Sequence, residues 1–418
     1  MTRRACIVGA GAREHALALA ISRTADVVVT PGNAAMEAER IRVSPLPASA
    51  IEADLFVVGP EQPLVDGLAD ELRAAGRVVV GPGRAGAQLE GSKTFMKDVL
   101  AAAGVPTAAY GTFDDADEAS RFVRRLGGTV VVKADGLAAG KGVLVTSDLD
   151  EAEADVRDKL SGRAFGDAGR RVVVEEGLVG DEVSLMVLVD GTTAVPMTPA
   201  RDYKRLADGD AGPNTGGMGA VSPAHGVDDT LVAEVMAHAV SPTLDELSRR
   251  GIEYRGVLYA GIMVTEEGPK VLEYNVRLGD PEAEVVLPRL ADDPFDLFYA
   301  VATGGLVGAP RFTSDAAVTV VLAAQGYPAA PVVGARVRGL GLDGQLEDRV
   351  DGVVVFHSGT VRDGLGFTVS GGRVLALTAL APTVAAARGR AYEAAAEITF
   401  DGMQLRSDIA AAPAGATS

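Results

Sequence analysis

The chain has 418 residues, of which 47% are hydrophobic, 23% charged and 5% aromatic, and its formal net charge is −18 at pH 7. A domain takes roughly 150 residues, so this length predicts about three domains, each able to bury its own core. The negative charge excludes an extended nucleic-acid surface, because clustered lysine and arginine are needed to bind a phosphate backbone. The single cysteine, Cys6, excludes an intramolecular disulfide and predicts a buried thiol in a reducing compartment.

Membrane insertion and export are not expected for this chain. No apolar run reaches the roughly 18 residues that a membrane helix needs, and no long apolar segment precedes a cleavage site near the start. We therefore predict a cytoplasmic protein without a membrane or nucleic-acid partner. We expect a monomer or a weak homo-oligomer.

The first hundred residues alternate β-branched runs with stretches rich in alanine and leucine. The β-branched runs are ACIVGAG, DVVVTPGN, ADLFVVGPE and RVVVGPG. This alternation predicts a doubly wound parallel sheet, similar to dinucleotide-binding domains, over residues 1–98. Ligands of such sheets bind beyond the carboxyl ends of the strands, so the loops GAGAREH, TPGN and VGPEQP are candidate binding loops.

The first of these loops favours an anion over NAD. Gly9, Gly11 and Arg13 lie at a strand-to-helix turn, where backbone N–H groups and the helix dipole attract negative charge. A dinucleotide fingerprint would need Gly in place of Glu14 and an acidic residue at the end of the second strand, where the chain reads VTP. Glycines that only form a tight turn are the alternative interpretation.

Residues 99–310 are predicted to form a second domain, with a small α+β subdomain at about 113–190. Its turn DGLAAGKG is not a P-loop, because it lies between two strands and lacks the required first glycine and the final Ser or Thr. We interpret it as a flap whose amides and Lys141 fold over a triphosphate, with Lys133 reaching the same phosphates. A hairpin tip with a solvated lysine is the alternative. The runs RVVVEEGL and DEVSLMVLVD, which follow, are predicted to be a pair of strands.

Glu273 and Asn275 are the candidate metal ligands. They lie two apart in the predicted strand PKVLEYNV and should point to the same face. Two oxygen ligands suit Mg²⁺, which completes its coordination with phosphates and water, although such polar pairs are common on half-exposed strands. Just beyond them, Asp280 and Pro281 are predicted to be the N-cap and first residue of a helix, with Glu282 as its first-turn acid.

The rest of the chain carries no catalytic triad. A long polar loop over residues 201–220 leads to a predicted helix around 228–249, and a third, α+β domain is predicted for 311–418, with short strands and a closing helix. The four histidines have no spacing typical of a metal site or a nucleophile motif. This absence favours a reaction driven by phosphate activation.

Eleven segments, taken in order, resemble the phosphoribosylamine-glycine ligases of the ATP-grasp superfamily. They are GAGAREHALA, TPGNA, VGPEQPLVDGLAD, GPGRAGAQLEGSKTFMKD, VVVKADGLAAGKGV, AFGDAG, VVVEEGLVGDEVS, GPNTGGMGA, YAGIMV, LEYNVRLGDPEAE and GGRVLALTALAPTVAAARGRAY. The resemblance implies an ATP-grasp fold that holds adenine between two α+β subdomains, with a C-terminal domain closing over the site. It also implies the reaction, in which ATP, glycine and 5-phosphoribosylamine give ADP, phosphate and glycinamide ribonucleotide.

The resemblance also implies which residues bind ATP and the metal. The candidate ATP ligands, including the flap, are Lys93, Lys133, Gly140, Lys141, Gly142, Glu175, Glu176, Leu178 and Glu182. Lys93 and Lys133 would contact phosphates and Glu182 the ribose, while Glu175, Glu176 and Leu178 would read the adenine region. Glu273 and Asn275 would hold Mg²⁺ or Mn²⁺.

Arg277, Lys141 and Asp202 are the candidate catalytic residues. We expect Arg277 and the loop GPNTGGMG to hold glycine, and the turns near Gly11 and Asn33 to hold the sugar phosphate. The full set of candidate substrate ligands is Gly9, Gly11, Arg13, Pro31, Gly32, Asn33, Lys204, Arg205, Asn214, Thr215, Gly216, Gly217, Arg277, Gly279 and Asp280. Where the family has Gln-Asp-His-Lys-Arg, this chain reads RDYKR, which removes a histidine but keeps Asp202 and both cations.

Two other functions remain open at this point. A related ATP-grasp ligase or carboxylase acting on another carboxylate would share the same ATP and metal residues. A nucleotide-binding protein without turnover belongs to a different class, and detectable ligation would exclude it.

Overall fold

The computed structural model describes residues 3–39, 41–138, 142–163, 166–364 and 366–412. The N-terminal unit is a five-stranded sheet of order β3-β2-β1-β4-β5 in which every pairing is parallel, and this confirms the predicted doubly wound sheet. Its elements are β1 (Arg4–Gly9), α1 (Ala12–Ser22), β2 (Asp26–Pro31), α2 (Ala34–Ala38), β3 (Arg42–Val43), β4 (Leu55–Val58), α3 (Glu61–Asp66), α4 (Leu68–Ala74), β5 (Val79–Val80), α5 (Arg84–Gly91) and α6 (Lys93–Ala103).

The central strand β1 shows why this sheet forms. Its residues from Ala5 onward are buried, as expected for a parallel strand that is covered by helices on both faces. Cys6 has no exposed surface, and burial raises the pKa of its thiol to about 12, so the predicted core thiol is confirmed. Helix α1 begins directly after Gly11, whose N–H donates to Glu14 Oε2 at 2.7 Å.

The second unit, called the flap unit below, comprises residues 110–176. Its antiparallel sheet has the order β6-β9-β7-β8, and α7 and α8 cover a separate small core. The elements are β6 (Tyr110–Phe113), α7 (Ala116–Leu126), β7 (Val130–Ala134), β8 (Val143–Thr146), α8 (Leu149–Leu160) and β9 (Val172–Glu176).

The next part of the chain forms a second antiparallel sheet, of order β11-β10-β16-β17. The elements of this part of the chain are β10 (Asp181–Asp190), β11 (Ala194–Pro196), β12 (Arg201–Asp202), β13 (Arg205–Ala207), β14 (Ala211–Asn214), β15 (Gly219–Ser222), α9 (Asp229–Val235), α10 (Ser241–Arg249), β16 (Arg255–Thr265), β17 (Gly268–Asn275), α11 (Ala283–Val286) and α12 (Pro294–Thr303). A π-helical turn, Met236–Val240, joins α9 to α10, so the predicted helix is continuous over 229–249.

The two strands predicted from RVVVEEGL and DEVSLMVLVD are present as β9 and β10. They lie in different sheets, because β10 pairs with β16 along its whole length. One prediction for this region is wrong. The polar loop contains four short strands, of which β13 and β14 form a hairpin.

Asp280 is not the N-cap of a helix, contrary to the sequence prediction. Helix α11 begins at Ala283, with Glu282 at the N-cap position. The Asp280 carboxylate is instead paired with Arg373, at 2.9 Å from Nη1, and Glu282 Oε1 accepts a hydrogen bond from the Ser184 hydroxyl at 2.7 Å. Both carboxylates therefore serve contacts outside the helix.

The C-terminal strands form a five-stranded sheet, of order β12-β15-β18-β23-β20, with a three-stranded sheet, β19-β22-β21, beside it. The elements are β18 (Ala316–Ala323), β19 (Arg336–Val337), β20 (Val353–His357), β21 (Thr360–Asp363), β22 (Gly366–Val369), β23 (Arg373–Ala381) and the closing helix α13 (Val384–Glu397). Strands β12 and β15 come from the preceding segment of the chain and complete the larger sheet. Among the described residues, no helix is both long and apolar enough to cross a membrane.

Candidate active site

A cavity of about 930 Å³ lies where the units meet, and it collects most of the predicted site residues. The predicted residues that line it are Arg13, Lys93, Lys133, Gly142, Glu175, Glu176, Leu178, Glu182, Asp202, Lys204, Arg205, Asn214, Thr215, Gly216, Glu273, Asn275, Arg277, Gly279 and Asp280. Gly140 and Lys141 lie outside the described residues. The cavity wall therefore includes the candidate ATP, metal and glycine ligands together.

One end of the cavity is formed by lysines and an acid from the flap unit and α6. Lys133 Nζ lies 3.0 Å from Glu175 Oε2 and donates to the Leu272 carbonyl at 3.2 Å. Lys93 Nζ donates to the Gly136 carbonyl at 3.3 Å, and burial lowers the pKa of this lysine. Glu176 Oε1 accepts a hydrogen bond from the Ala109 N–H at 2.9 Å. Both lysines thus have partners and still border the cavity.

Lys204 connects the predicted ribose ligand to the predicted metal ligand. Its ammonium pairs with Glu182 and lies 3.2 Å from Glu273 Oε1. Burial would lower the pKa of Lys204, but the two carboxylates outweigh burial and raise it well above its ordinary value. Lys204, together with Lys133 and Lys93, lowers the pKa of Glu273 to about 2 despite burial. Glu273 is therefore a carboxylate at any physiological pH, as a metal ligand must be.

Glu273 and Asn275 both border the cavity, and the buried Tyr274 between them forms a hydrogen bond with Thr243 through its hydroxyl. A carboxylate and an amide oxygen suit a hard divalent cation that takes few protein ligands. In the described ranges, no group of three or more His, Cys, Asp and Glu residues could hold a metal ion. The pair fits a cation that relies on phosphate oxygens for the rest of its coordination.

Arg277 is fixed by partners on several sides. Its Nη2 lies 2.7 Å from Glu90 Oε1 and donates to Asn275 Oδ1 at 3.2 Å, and its Nε lies 3.2 Å from Glu61 Oε2. Burial would lower the pKa of this guanidinium, but the surrounding carboxylates outweigh burial and raise it. A cation held in this way can bind an anionic group without changing its own position.

Asp202 lies among other acids near the glycine-rich loop. Burial, followed by the charge of Glu282, raises the pKa of Asp202 well above its ordinary value. Its Oδ1 has no hydrogen-bond partner within the part of the chain that the structure describes. A buried carboxyl group with a free oxygen is suited to bind a substrate N–H or to accept a proton.

The C-terminal domain contributes cavity residues that the sequence did not predict, among them Arg373 and Tyr327. Arg373, the first residue of β23, pairs with Asp280 and donates to the Gly216 carbonyl. The Tyr327 hydroxyl accepts a hydrogen bond from the Gly216 N–H at 2.8 Å. The only sequence signal for Arg373 is a lone cation at the start of an apolar run, in a segment already matched to the family.

Some predicted substrate ligands do not border the cavity: Gly9, Gly11, Pro31, Gly32, Asn33 and Gly217. The Asn33 side chain is fully used within the protein. Its Oδ1 caps α2 by accepting from Ala35 and Met36, and its Nδ2 donates to the carbonyls of Ala10 and His357. In this arrangement Asn33 fixes the turn and offers no free donor to a ligand.

Arg13 is the predicted N-terminal ligand whose side chain does reach the cavity. Its Nε lies 2.7 Å from Glu14 Oε1 and its Nη1 donates to the Leu278 carbonyl at 3.2 Å. The first strand-to-helix turn therefore contributes through this side chain.

Comparison with known proteins identifies the family. Models of the phosphoribosylglycinamide synthetase N domain, ATP-grasp (A) domain and C domain match residues 3–90, 91–283 and 317–412. The phosphoribosylamine–glycine ligase of Brucella melitensis is 47% identical over 96% of each chain, and that of Streptomyces coelicolor is 46% identical over 98% of this chain and 99% of its own.

A solved structure agrees with the sequence relatives. The crystal structure of phosphoribosylamine–glycine ligase from Thermotoga maritima superposes with a TM-score of 0.82, at 33% identity, over 97% of this chain and 100% of that one. The match therefore extends over all three domains of the family. The chain belongs to the phosphoribosylglycinamide synthetase family, whose central domain has the ATP-grasp fold.

Proposed function

We propose that this chain is the ATP-dependent ligase that joins glycine to 5-phosphoribosylamine in de novo purine synthesis, giving N1-(5-phosphoribosyl)glycinamide, ADP and phosphate. One observation carries the chemistry: a single cavity brings together cations, a carboxylate–amide pair and a glycine-rich loop. The family match over nearly the whole chain carries the choice of substrates.

The reaction needs an activated carboxylate, because a free carboxylate is a poor acyl donor. A glycine carboxylate oxygen attacks the γ-phosphorus of ATP, which forms glycyl phosphate and releases ADP. The phosphoribosylamine nitrogen then attacks the glycyl carbonyl carbon, the C–O bond to phosphate breaks, and the nitrogen loses a proton. The protein needs only to align the reactants and to offset charge.

The lysine-lined end of the cavity is proposed to hold ATP. Lys93 and Lys133 offset phosphate charge, Glu175, Glu176 and Leu178 contact the adenine region, and Glu182 contacts the ribose. Gly140, Lys141 and Gly142 would cover the phosphates. Gly142 borders the cavity, which supports this proposal, and the other two residues lie outside the described ranges.

A member of an ATP-grasp family uses ATP together with a divalent metal ion, and we propose Mg²⁺ or Mn²⁺ held by Glu273 and Asn275. When bound, such an ion offsets the phosphate charge that develops during transfer. Lys204 keeps Glu273 ionised for this task.

Arg277 is proposed to hold the glycine carboxylate, with Asn214, Thr215 and Gly216 contacting the same substrate. Arg13, near the start of α1, is proposed to hold the sugar phosphate, and Asn33 fixes the preceding turn by donating to the Ala10 carbonyl. Asp202 would accept the proton that the attacking amine loses, because its pKa is raised and one of its oxygens is free.

Phosphate release by the purified chain tests the proposal. With ATP, a divalent metal, glycine and freshly generated phosphoribosylamine, release should depend on both substrates and should match ligated product. Release that ignored glycine, or that continued at the same rate without phosphoribosylamine, would reject this assignment in favour of another carboxylate or amine. Replacing glycine with alanine or aspartate is the matched control.

A further inference from the structure

Lys97 is a buried lysine that the proposed reaction does not use. It lies one turn after Lys93 on α6 and has no exposed surface. Its Nζ donates to Thr107 Oγ1 at 2.7 Å, lies 3.2 Å from Glu175 Oε1 and sits 5.0 Å from the centroid of the Tyr110 ring. Burying an ammonium group costs free energy unless fixed partners compensate for the lost hydration, so a buried lysine at this position needs an explanation.

Glu175 lies between two lysines. Its Oε1 faces Lys97 and its Oε2 lies 3.0 Å from Lys133 Nζ, and only 2% of the residue is exposed. Of the two lysines, Lys133 borders the cavity and Lys97 lies behind it. The order from the core to the cavity is therefore cation, anion, cation.

Lys97 determines the net charge of the row that it forms with Glu175 and Lys133. Lys133 and Glu175 alone would form a neutral pair, and a neutral pair attracts a polyphosphate weakly. With Lys97 added, the row carries one net positive charge, and Lys133 places the positive end of the row at the cavity. Interactions at such separations are strong in a buried setting.

We propose that Lys97 is a positioning residue for ATP. It offsets the negative charge of Glu175 from the buried side, so that the positive charge of Lys133 acts on the phosphates. The inference rests on the proposed role of Lys133 in ATP binding. Burial lowers the pKa of Lys97 to about 8, and Glu175 opposes that shift, so the lysine still carries its charge at neutral pH.

Lys97→Met tests the inference, because methionine has a similar length and no charge. We expect KM for ATP to rise about 10-fold or more, the change that a loss of about 1.4 kcal/mol would give, with KM for glycine altered less than about 2-fold. Lys159→Met is the matched control, since Lys159 is also a buried lysine but pairs with Asp155, which does not border the cavity. An unchanged KM for ATP, or an equal rise in both KM values, overturns the inference.

A double-mutant cycle with Glu175→Gln shows whether Lys97 acts through Glu175. In the Glu175→Gln background no carboxylate remains to be neutralised, so adding Lys97→Met should weaken ATP binding by less than about 2-fold. Independent losses in the two variants would refute the proposed route. Titration calorimetry with ATP and the metal gives the same comparison without turnover, so failure of the inference is distinguishable from failure of the ligase assignment.

A second variant covers the case in which Lys97→Met does not fold. Thr107→Val keeps the side-chain shape and removes the hydroxyl that accepts from Lys97 Nζ. We expect a smaller rise in KM for ATP in the same direction, with an unchanged KM for glycine. No change in this variant while it remains folded would count against the positioning role.

Discussion

Glu273 is the residue on which the metal proposal depends most directly. Its carboxylate borders the cavity and is ionised, because neighbouring lysines lower its pKa to about 2. We expect Glu273→Gln to reduce kcat by about 10²-fold or more, since an amide binds a divalent cation weakly and transition-state charge loses its stabilisation. The measurement is phosphate release at saturating ATP and glycine.

Glu267→Gln is the matched control for that change. Glu267 precedes the same strand, is exposed and pairs only with Lys270 in the described contacts, so turnover should be unaffected. Turnover of Glu273→Gln within a few-fold of the unchanged chain would rule out the metal role.

Residues on one strand were predicted more successfully than residues brought together by the fold. The period of two in a strand was enough to expect Glu273 and Asn275 on one wall of the cavity. Arg373 and Lys97 gave no such signal, because their importance comes from partners on distant elements: Asp280 for Arg373 and Glu175 for Lys97. A lone buried cation has no local pattern in a sequence.

At the scale of elements, the glycine-rich loop after β14 is held by the C-terminal domain. The Gly216 N–H donates to the Tyr327 hydroxyl at 2.8 Å, and its carbonyl accepts from Arg373. Tyr327→Phe removes one of these hydrogen bonds, worth about 1 kcal/mol, and should raise KM for glycine about 5-fold with a smaller change in KM for ATP. Initial rates at varied glycine concentration measure the effect.

Tyr299→Phe provides the comparison for this prediction, because Tyr299 is an exposed residue of α12 that does not border the cavity. Both KM values should stay unchanged in that variant. If Tyr327→Phe behaved in the same way, the loop would not depend on the C-terminal domain for its position.

The type of most elements was predictable, and their partners were less so. The β-branched runs of the N-terminal unit form the predicted parallel sheet, since alternation with helices determines that architecture. Strands β9 and β10 were both predicted and are adjacent in the chain, yet they do not pair, because β10 extends over ten residues against β16. Pairing over such a length outweighs proximity in sequence, and the local sequence pattern of a strand does not reveal its pairing partner.

At the scale of the whole molecule, the contact between the N-terminal and C-terminal domains contains buried histidines. His357 N–H donates to His15 Nδ1 at 3.0 Å, and His357 Nε2 lies 2.7 Å from the Gly344 carbonyl. Burial, together with His15, lowers the pKa of His357 to about 3. The imidazole is therefore neutral in the folded protein at every pH above that value.

This histidine predicts a loss of stability in acid. Between pH 6.5 and 3 the unfolded chain takes up a proton on His357 and the folded chain does not, so the free energy of unfolding falls as the pH is lowered. At pH 5 the loss from this group is about 2 kcal/mol relative to pH 7.5. Urea unfolding at the two pH values measures it.

His357→Gln should reduce the difference between the two pH values, whatever its effect at pH 7.5, because glutamine does not titrate. His238→Gln serves as the control, since His238 is exposed on the π-helical turn. An identical pH dependence in His357→Gln and in the unchanged chain would contradict the linkage.

The predicted domain bounds, the cytoplasmic location and the oligomeric state stay predictions.

The contribution of β12 and β15 to the C-terminal sheet limits how the cavity can open. Asp202 lies on β12, and β15 is hydrogen-bonded to β18 through four residue pairs. A rotation of the C-terminal sheet away from the cavity would therefore carry Asp202 with it and separate this acid from Lys204 and Glu273. We therefore expect opening that leaves the acid in place to involve the flap unit, whose four strands all come from residues 110–176. Because β12 and β15 are hydrogen-bonded into the C-terminal sheet, we expect Asp202 to keep its position relative to that sheet while the cavity opens.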